Sequence, residues 1–319
     1  MKKDQPHDKF FKQVFSHRQI VLDYFRNFVP PKLINDLDLR TLQRTDGNYI
    51  DDEMGAYFSD MSFRINWKKG INKENSPKVY LLVEHKSYVP KFIHVQLLKY
   101  MVEIWMDDIK NKKDLTLVIP IVIYHGKRKW KYRSFYDFFD LPNENFKEFI
   151  PNFEYILTDL NDYSDEEILM LQIGFLTNAF LAMKHSGDEN YLRKYAIRIF
   201  KDGEEFLKSE LGVNLMKILS IYLSKTTKLE PKNVNKIFQD LPKKIKELAM
   251  TTYDKFVKQG LEQGLEQGEE KGRIKEREKT KTIIKEIIIM FPNMTDVEIS
   301  KRFKADIALV KEVREKMKS

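Results

Sequence analysis

The stretch KVYLLVEHKS, Lys78 to Ser87, runs from the apolar and aromatic residues Val79–Val83 straight into Glu84, His85 and Lys86. A strand that reads as buried and ends in an acid, an imidazole and an amine either surfaces there or delivers charge to a site. Residues two apart on a strand share a face, so Glu84 and Lys86 point one way and His85 the other. Upstream, MSFRINW (61–67) alternates, with Met61, Phe63, Ile65 and Trp67 on one side and Ser62, Arg64 and Asn66 on the other. That is a half-buried strand. KGINKENSP (69–77) between the two has turn composition. Reflection through its midpoint, residue 73, sets residue 62 opposite 84 and residue 60 opposite 86. Asp60 then shares a face with Glu84 and Lys86, diagonal to Glu84.

Two carboxylates and one ammonium thus converge at one end of a hairpin. Carboxylates this close repel unless something cationic lies between them. Mg²⁺ suits that place, since it takes one or two carboxylates plus waters and a substrate phosphate. Lys86 would orient or activate a water whose pKa the metal lowers. The competing structural reading makes Asp60 a strand cap and Glu84–Lys86 a surface ion pair. Spacing alone leaves both open.

Outward from the hairpin, Asp8 to Phe28 has helical spacing, in two pieces around Ser16–His17, and Pro30–Pro31 stop it. A loop or short helix is expected next. Val89 to Lys110 reads as a long helix with Phe92, Val95, Leu98, Met101, Val102 and Trp105 near one face. LTLVIPIVIYHG (115–126) is the branched apolar run of a strand buried on both faces, and Pro120 predicts a bulge or an unpaired position. FEYILTDL (153–160) is a further strand. The alternation implies an α/β core with a mixed sheet over 1–160. A helical region over 161–256 opens at Ser164, followed by Asp165, Glu166 and Glu167. A Gly/Glu/Gln-rich connector spans 257–281. A small tail over 282–319 carries two amphipathic helix patterns, the first capped by Thr295 with Glu298.

The chain has 319 residues, a net charge of +8 and no cysteine. The charge suits an anionic partner. Absence of cysteine excludes disulfides, thiolate metal sites and cysteine nucleophiles, and fits a reducing cytosol. The N-terminus lacks the apolar segment of a secretory signal, and no apolar run approaches the ~18 residues of a membrane span. A cytoplasmic protein is expected. Six scattered histidines without cysteine supply no zinc-ligand pattern. No Gly-X-Ser-X-Gly or phosphate-cradling glycine loop is present.

Asp60, the Glu84-X-Lys86 pair and their helical surroundings resemble the PD-(D/E)xK nuclease superfamily. More specifically, HDKFFKQVF (7–15), FSDMSF (58–63), LLVEHKS (81–87), the helix bearing Gln96, Tyr100 and Met101, and VIPIVIYHGKRKW (118–130) resemble, in order and spacing, the Rpn (YhgA-like) family of recombination-promoting nucleases and transposase-like proteins. These pieces cover about half the chain. The resemblance implies a PD-(D/E)xK restriction-endonuclease-like core and Mg²⁺-dependent hydrolysis of DNA phosphodiester bonds linked to recombination, with Mn²⁺ or Ca²⁺ as other divalent candidates. It carries Asp60 and Glu84 over as metal ligands, the carbonyl of His85 as a further ligand, and Lys86 as catalytic base or water-orienting group. Gln96 becomes a supporting catalytic residue. Two positions depart from the pattern. Ser59 stands where the superfamily has Pro, and Lys86 stands where many relatives carry Gln; lysine is the more competent group. A catalytically idle DNA-binding or assembly protein on the same fold is the alternative.

KRKWKYR interleaves Lys127, Arg128, Lys129, Lys131 and Arg133 with Trp130 and Tyr132. The cations can neutralise phosphates, whereas Trp130 reads as a core residue. Asp8 could assist a metal but reads first as a charge favourable at a helix N-terminus. Gly260, Gly264, Gly268 and Gly272 repeat every four residues, a pattern the Rpn resemblance shares. They suggest a self-associating helix that makes a homo-oligomer, or a flexible tether. Bacterial origin is suggested by the Lys-, Ile- and Asn-rich usage.

Overall fold

The computed structural model describes residues 6–45, 61–68, 70, 79–171, 174–227 and 231–317. Asp60 and most of the turn after Trp67 lie outside them. The chain divides into two compact units, Met1–Tyr253 and Asp254–Ser319.

The first unit opens with helices α1 (Pro6–Phe15), α2 (Arg18–Phe28) and α3 (Pro31–Ile34). Strands β1 (Leu37–Thr45), β2 (Met61–Trp67) and β3 (Val79–Lys86) follow, then α4 (Ile93–Lys110), β4 (Val118–Tyr124) and β5 (Ile156–Asp159). Helices α5 (Asp165–Met170), α6 (Phe175–Lys184), α7 (Glu189–Ile199), α8 (Gly203–Phe206), α9 (Glu210–Thr227) and α10 (Pro231–Phe238) complete it. Helix α11 (Lys243–Met290) runs across the boundary between the units. The five strands form one sheet in sequential order. β1–β2 and β2–β3 are antiparallel, while β3–β4 and β4–β5 are parallel. This is the mixed sheet flanked by helices that the alternating pattern implied.

β3 lies at the centre and is buried along almost its whole length. Its even-numbered face, with Tyr80 and Leu82, packs with Val118, Val122 and Tyr124 of β4 against Ile93, Leu97, Tyr100, Met101 and Ile104 of α4. The odd-numbered face meets α1, α2 and α6. Phe11 stacks on His85, Phe25 meets Phe63 edge-on, and Tyr24 Oη bonds Thr158 Oγ1 at 2.8 Å.

Two local expectations, the hairpin register and the buried face of α4, are corrected. Two others are met in part: α3 is the short helix expected after Pro30–Pro31 but a strand follows it, and Pro120 takes the unpaired position rather than the bulge. Ser62 pairs with Leu82 and Met61 with Val83, so the hairpin reflects through 72 and residue 62 does not face Glu84. Loop composition does not fix where a turn closes, but a shift of two pairing positions keeps the faces unchanged. β1 is the strand that follows α3. Its register breaks between Asp38 and Gln43, so its buried leucines, Leu37 and Leu42, lose the two-residue period that marks a strand. Arg18 braces the irregularity, donating from Nε to Leu42 O (3.0 Å) and from Nη2 to Arg40 O (2.8 Å). α4 starts at Ile93 rather than Val89, and its buried face is rotated. Ile93, His94 and Leu97 are inside, whereas Phe92, Val95 and Val102 are exposed. The helix is apolar on most sides, so periodicity does not single out the core stripe. Pro120 makes no bulge. It pairs with Leu82 in continuous register, and β5 pairs only from Ile121 onward, so proline stands where one ladder is absent.

Beneath the odd-numbered face, three imidazoles gather. His125 stacks on His85 with centroids 4.7 Å apart, and His7 lies 4.9 Å from His125. His125 Nδ1 contacts Met183 O at 3.0 Å, and His7 Nδ1 contacts Tyr222 Oη at 2.9 Å. Burial pushes the His125 pKa down to about 3, with His7 adding to the effect, and lowers His7 as well.

In the second unit, α12 (Asp296–Phe303) and α13 (Ile307–Lys316) close a small core with the end of α11: Ile284, Ile287, Ile288, Ile299, Leu309, Val310 and Val313. Thr295 and Glu298 form the expected capping box. The Gly-every-four stretch is helical within α11, and a Cβ built on Gly260, Gly264, Gly268 or Gly272 meets nothing within 4 Å.

The rotated face of α4 predicts that Leu97→Ala destabilises the first unit by about 2–5 kcal/mol. Val95→Ala, at a position 53% exposed, changes stability by no more than about 0.5 kcal/mol. Urea unfolding followed by circular dichroism separates the two. The histidine cluster predicts acid lability. His125 has a folded-state pKa below its unfolded value, so the unfolded chain binds protons that the native chain refuses. The stability contribution is whole above about pH 6.5 and is lost progressively as pH falls toward about 3. Between pH 6 and 5 each such histidine contributes a slope of up to about 1.4 kcal/mol per pH unit. His125→Asn flattens the pH dependence of the urea midpoint by one proton.

Candidate active site

Glu84 stands near the carboxyl end of the central strand, next to Val122 of β4 in the ladder, with Lys86 beside Tyr124. Parallel pairing with β4 holds this end of β3, β2 pairs with β3 as far as Val83, and α4 covers the even-numbered face. Glu84 is only 3% exposed, and the Lys86 side chain is 12% exposed. The pair is therefore not the surface ion pair of the structural reading. Lys86 Nζ donates to Glu84 Oε1 in a short contact. Gln96, one turn into α4, donates from Nε2 to the same oxygen at 2.7 Å and also to Tyr100 Oη at 2.9 Å. One carboxylate oxygen so gathers an ammonium and an amide from two different elements. Charge-assisted bonds of this kind are about twice as strong as neutral ones.

Of the expected site residues, the fold brings Glu84, Lys86 and Gln96 together. Asp60 lies outside the described residues, so the carboxylate pair is not described. The His85 side chain turns to the opposite face, toward Phe11, His7 and His125. Burial, with the neighbouring His125 and His7 adding to it, holds it well below the ordinary histidine range, so it is neutral. Among the described residues no cluster of three or more His, Asp or Glu is placed to hold a metal. Asp8 forms an i,i+4 pair with Lys12 at 3.1 Å.

The basic stretch leaves the sheet directly after β4. Lys127, Arg128, Lys129, Lys131 and Arg133 are all exposed. Trp130 is buried, and its backbone N–H donates to Asp159 Oδ2 at 2.8 Å. Lys129 pairs with Asp162 at 2.6 Å, and Arg133 lies over the Phe138 ring at 4.4 Å.

Two features escaped the sequence reading. A cavity of about 940 Å³ opens beyond the carboxyl ends of β3 and β4, lined among others by Ser87, His125, Lys127 and Arg193. At its border Asp165 accepts from Lys184 (2.9 Å), His185 (2.8 Å) and Tyr191 (2.5 Å). Burial raises its pKa, but those three donors together outweigh it and bring the carboxyl to about 2. A smaller cavity of about 240 Å³ lies at the start of α4. Both are assembled from residues far apart in sequence, which no local spacing reveals.

Residues 5–211 match the family described as "Putative transposase, YhgA-like". Over 125 residues, 39% of the chain and 46% of the relative, the sequence is 27% identical to the recombination-promoting nuclease RpnD of Escherichia coli O157:H7. Over 122 residues, 38% of the chain and 40% of the relative, it is 25% identical to the recombination-promoting nuclease RpnA of Escherichia coli strain K12. It is also 25% identical, over 51% of the chain and 54% of the relative, to a protein of the same strain named the inactive recombination-promoting nuclease-like protein RpnE. The chain spans about half the length of the curated relatives it matches. No solved structure matches it. The family match extends from α1 into α9 and takes in the whole sheet together with Glu84, Lys86 and Gln96: the chain belongs to the Rpn, or YhgA-like, family, whose fold is that of the PD-(D/E)xK nucleases.

Proposed function

We propose that this protein is a Mg²⁺-dependent DNA endonuclease of the cytoplasm that hydrolyses phosphodiester bonds in recombination. The observation that carries the reading is the dry carboxylate of Glu84, held by Lys86 from its own strand and Gln96 from α4. A surface ion pair has no need of a third donor from another element.

The donors suit a hard cation. Carboxylate and carbonyl oxygens match Mg²⁺. Glu84, the carbonyl of His85 and Asp60, which immediately precedes Met61 of β2, would hold it; Mn²⁺ or Ca²⁺ suits the same donors. A bound divalent ion supplies Lewis acidity toward a phosphoryl oxygen and a more acidic water. The residues have their own parts. Gln96 fixes the Glu84 carboxylate through one amide N–H while Tyr100 engages that amide on the other side. Lys86 places a positive charge beside the carboxylate, where it can orient the attacking water and stabilise charge growing on phosphorus. Lys127, Arg128, Lys129, Lys131 and Arg133 lie on the loop directly following the strand that pairs with Lys86, a suitable position for neutralising DNA phosphates.

An idle DNA-binding or assembly protein on the same fold is the second reading, favoured by the relative named inactive. Plasmid nicking by purified protein separates the two. The expected outcome is nicking with Mg²⁺, none with EDTA, and a loss of at least about 10²-fold for Glu84→Ala and Lys86→Ala. Gln96→Ala loses less, since it removes a positioning bond. Wild type that binds DNA but cuts with neither Mg²⁺, Mn²⁺ nor Ca²⁺ establishes the idle reading.

A further inference from the structure

The start of α4 carries a buried imidazole that the proposed chemistry does not use. His94 is 1% exposed, and neither of its ring nitrogens has a hydrogen-bond partner among the described residues. Aromatic rings surround it. Phe135 stacks on it at 5.1 Å and only 3° from parallel, while Tyr155 (5.2 Å) and Phe153 (5.7 Å) stand edge-on. Buried polar groups are ordinarily bonded, so an imidazole with two unanswered nitrogens calls for an explanation. Burial lowers its pKa, so it is neutral and offers one N–H and one lone pair.

His94 lines the cavity of about 240 Å³, together with Trp130, Tyr155, Phe138 and Val89. That volume lies below the range of about 300–1,000 Å³ that holds drug-sized ligands, so it suits a single ring system. Four of its lining residues carry rings, His94, Trp130, Phe138 and Tyr155. Lys91, Lys131 and Arg133 also border the cavity. α4 begins there without a side-chain cap, so its first-turn N–H groups are available to an anion. Two residues on, the same helix carries Gln96, the partner of Glu84. A ring-lined slot, an imidazole that can bond a polar ring edge, and cations with a helix N-terminus at the mouth match the parts of one nucleotide.

We propose that this cavity receives one unpaired nucleobase of the DNA strand that lies across Glu84. The base stacks against the aromatic wall and bonds His94, while its phosphate meets the start of α4 and the neighbouring cations. The subsite favours single-stranded, frayed or distorted DNA, in which a base is already out of the stack, over an intact duplex. The inference rests on the nuclease reading for the identity of the strand, and adds which structural state of DNA that site takes.

The test compares fluorescein-labelled oligothymidine with an abasic backbone of the same length, by fluorescence anisotropy in EDTA. Wild type is expected to hold the base-bearing strand roughly ten-fold tighter, the order that one stacked base supplies. Val89→Trp fills the mouth from a residue 44% exposed, so it leaves the fold intact. It is expected to bring the two affinities together, as is His94→Leu if circular dichroism shows it folded. Equal affinity of wild type for both strands, or an unchanged preference in Val89→Trp, overturns the base pocket and leaves the nuclease reading standing. A protein that binds neither strand nor duplex overturns the reading beneath it as well.

Discussion

A carboxylate cannot be kept dry on the central strand of a sheet unless donors meet it, and much of the first unit is arranged around meeting Glu84. Removing one member of a buried charged pair costs about 3–5 kcal/mol, because the survivor stays buried and unanswered. Lys86 answers from two residues along the strand, which places it on the same face. Gln96 answers from α4, which must therefore cross β3 at one height and one rotation. Leu97, Tyr100 and Ile104 fix that rotation by packing on Tyr80, Leu82 and Val122. The apolar contacts set the helix, and the helix sets the amide. The polar cluster in turn makes any other rotation of α4 costly.

The pleat of β3 divides the molecule chemically. Even-numbered residues deliver charge to the α4 side, and the odd-numbered His85 joins an aromatic and imidazole layer under α1 and α6. Two adjacent residues thus stand in opposite electrostatic environments. Gly126 ties both layers at the strand ends. A Cβ there would collide with the Tyr124 side chain and come within 2.6 Å of Ser87 O, so only glycine lets the ends of β3 and β4 close together.

What the sequence disclosed depended on whether a feature was local. The parity of Glu84, His85 and Lys86 is a property of any strand and was readable at once. The capping boxes at Ser164 and Thr295 were equally plain, since they need only four consecutive residues. β1 was hidden because its irregularity breaks the period-two signal between Leu37 and Leu42. The buried stripe of α4 was misplaced because Phe92, Val95 and Val102 are as apolar as the residues that face the sheet. The cluster around His94 draws Phe135, Phe153 and Tyr155 from a segment beyond β4, and Asp165 collects partners from α6 and α7. Such groupings exist only once the chain has folded. Membership of the family came from the order of several short motifs, a longer-range signal than any single spacing.

The glycines of α11 have a thermodynamic consequence. From residue 254 to 283 no described side chain is buried, and glycine recurs at 260, 264, 268 and 272 with open space around each. Every glycine in a helix interior costs about 1 kcal/mol relative to alanine, and no packing offsets it here. That stretch is the weakest part of α11, with an opening free energy well below that of the core on either side. Without buried side chains between them, the hydrophobic core that ends at Tyr253 and the one that begins at Ile284 share no apolar packing along this stretch of α11, so the helix itself carries little cooperativity from one to the other.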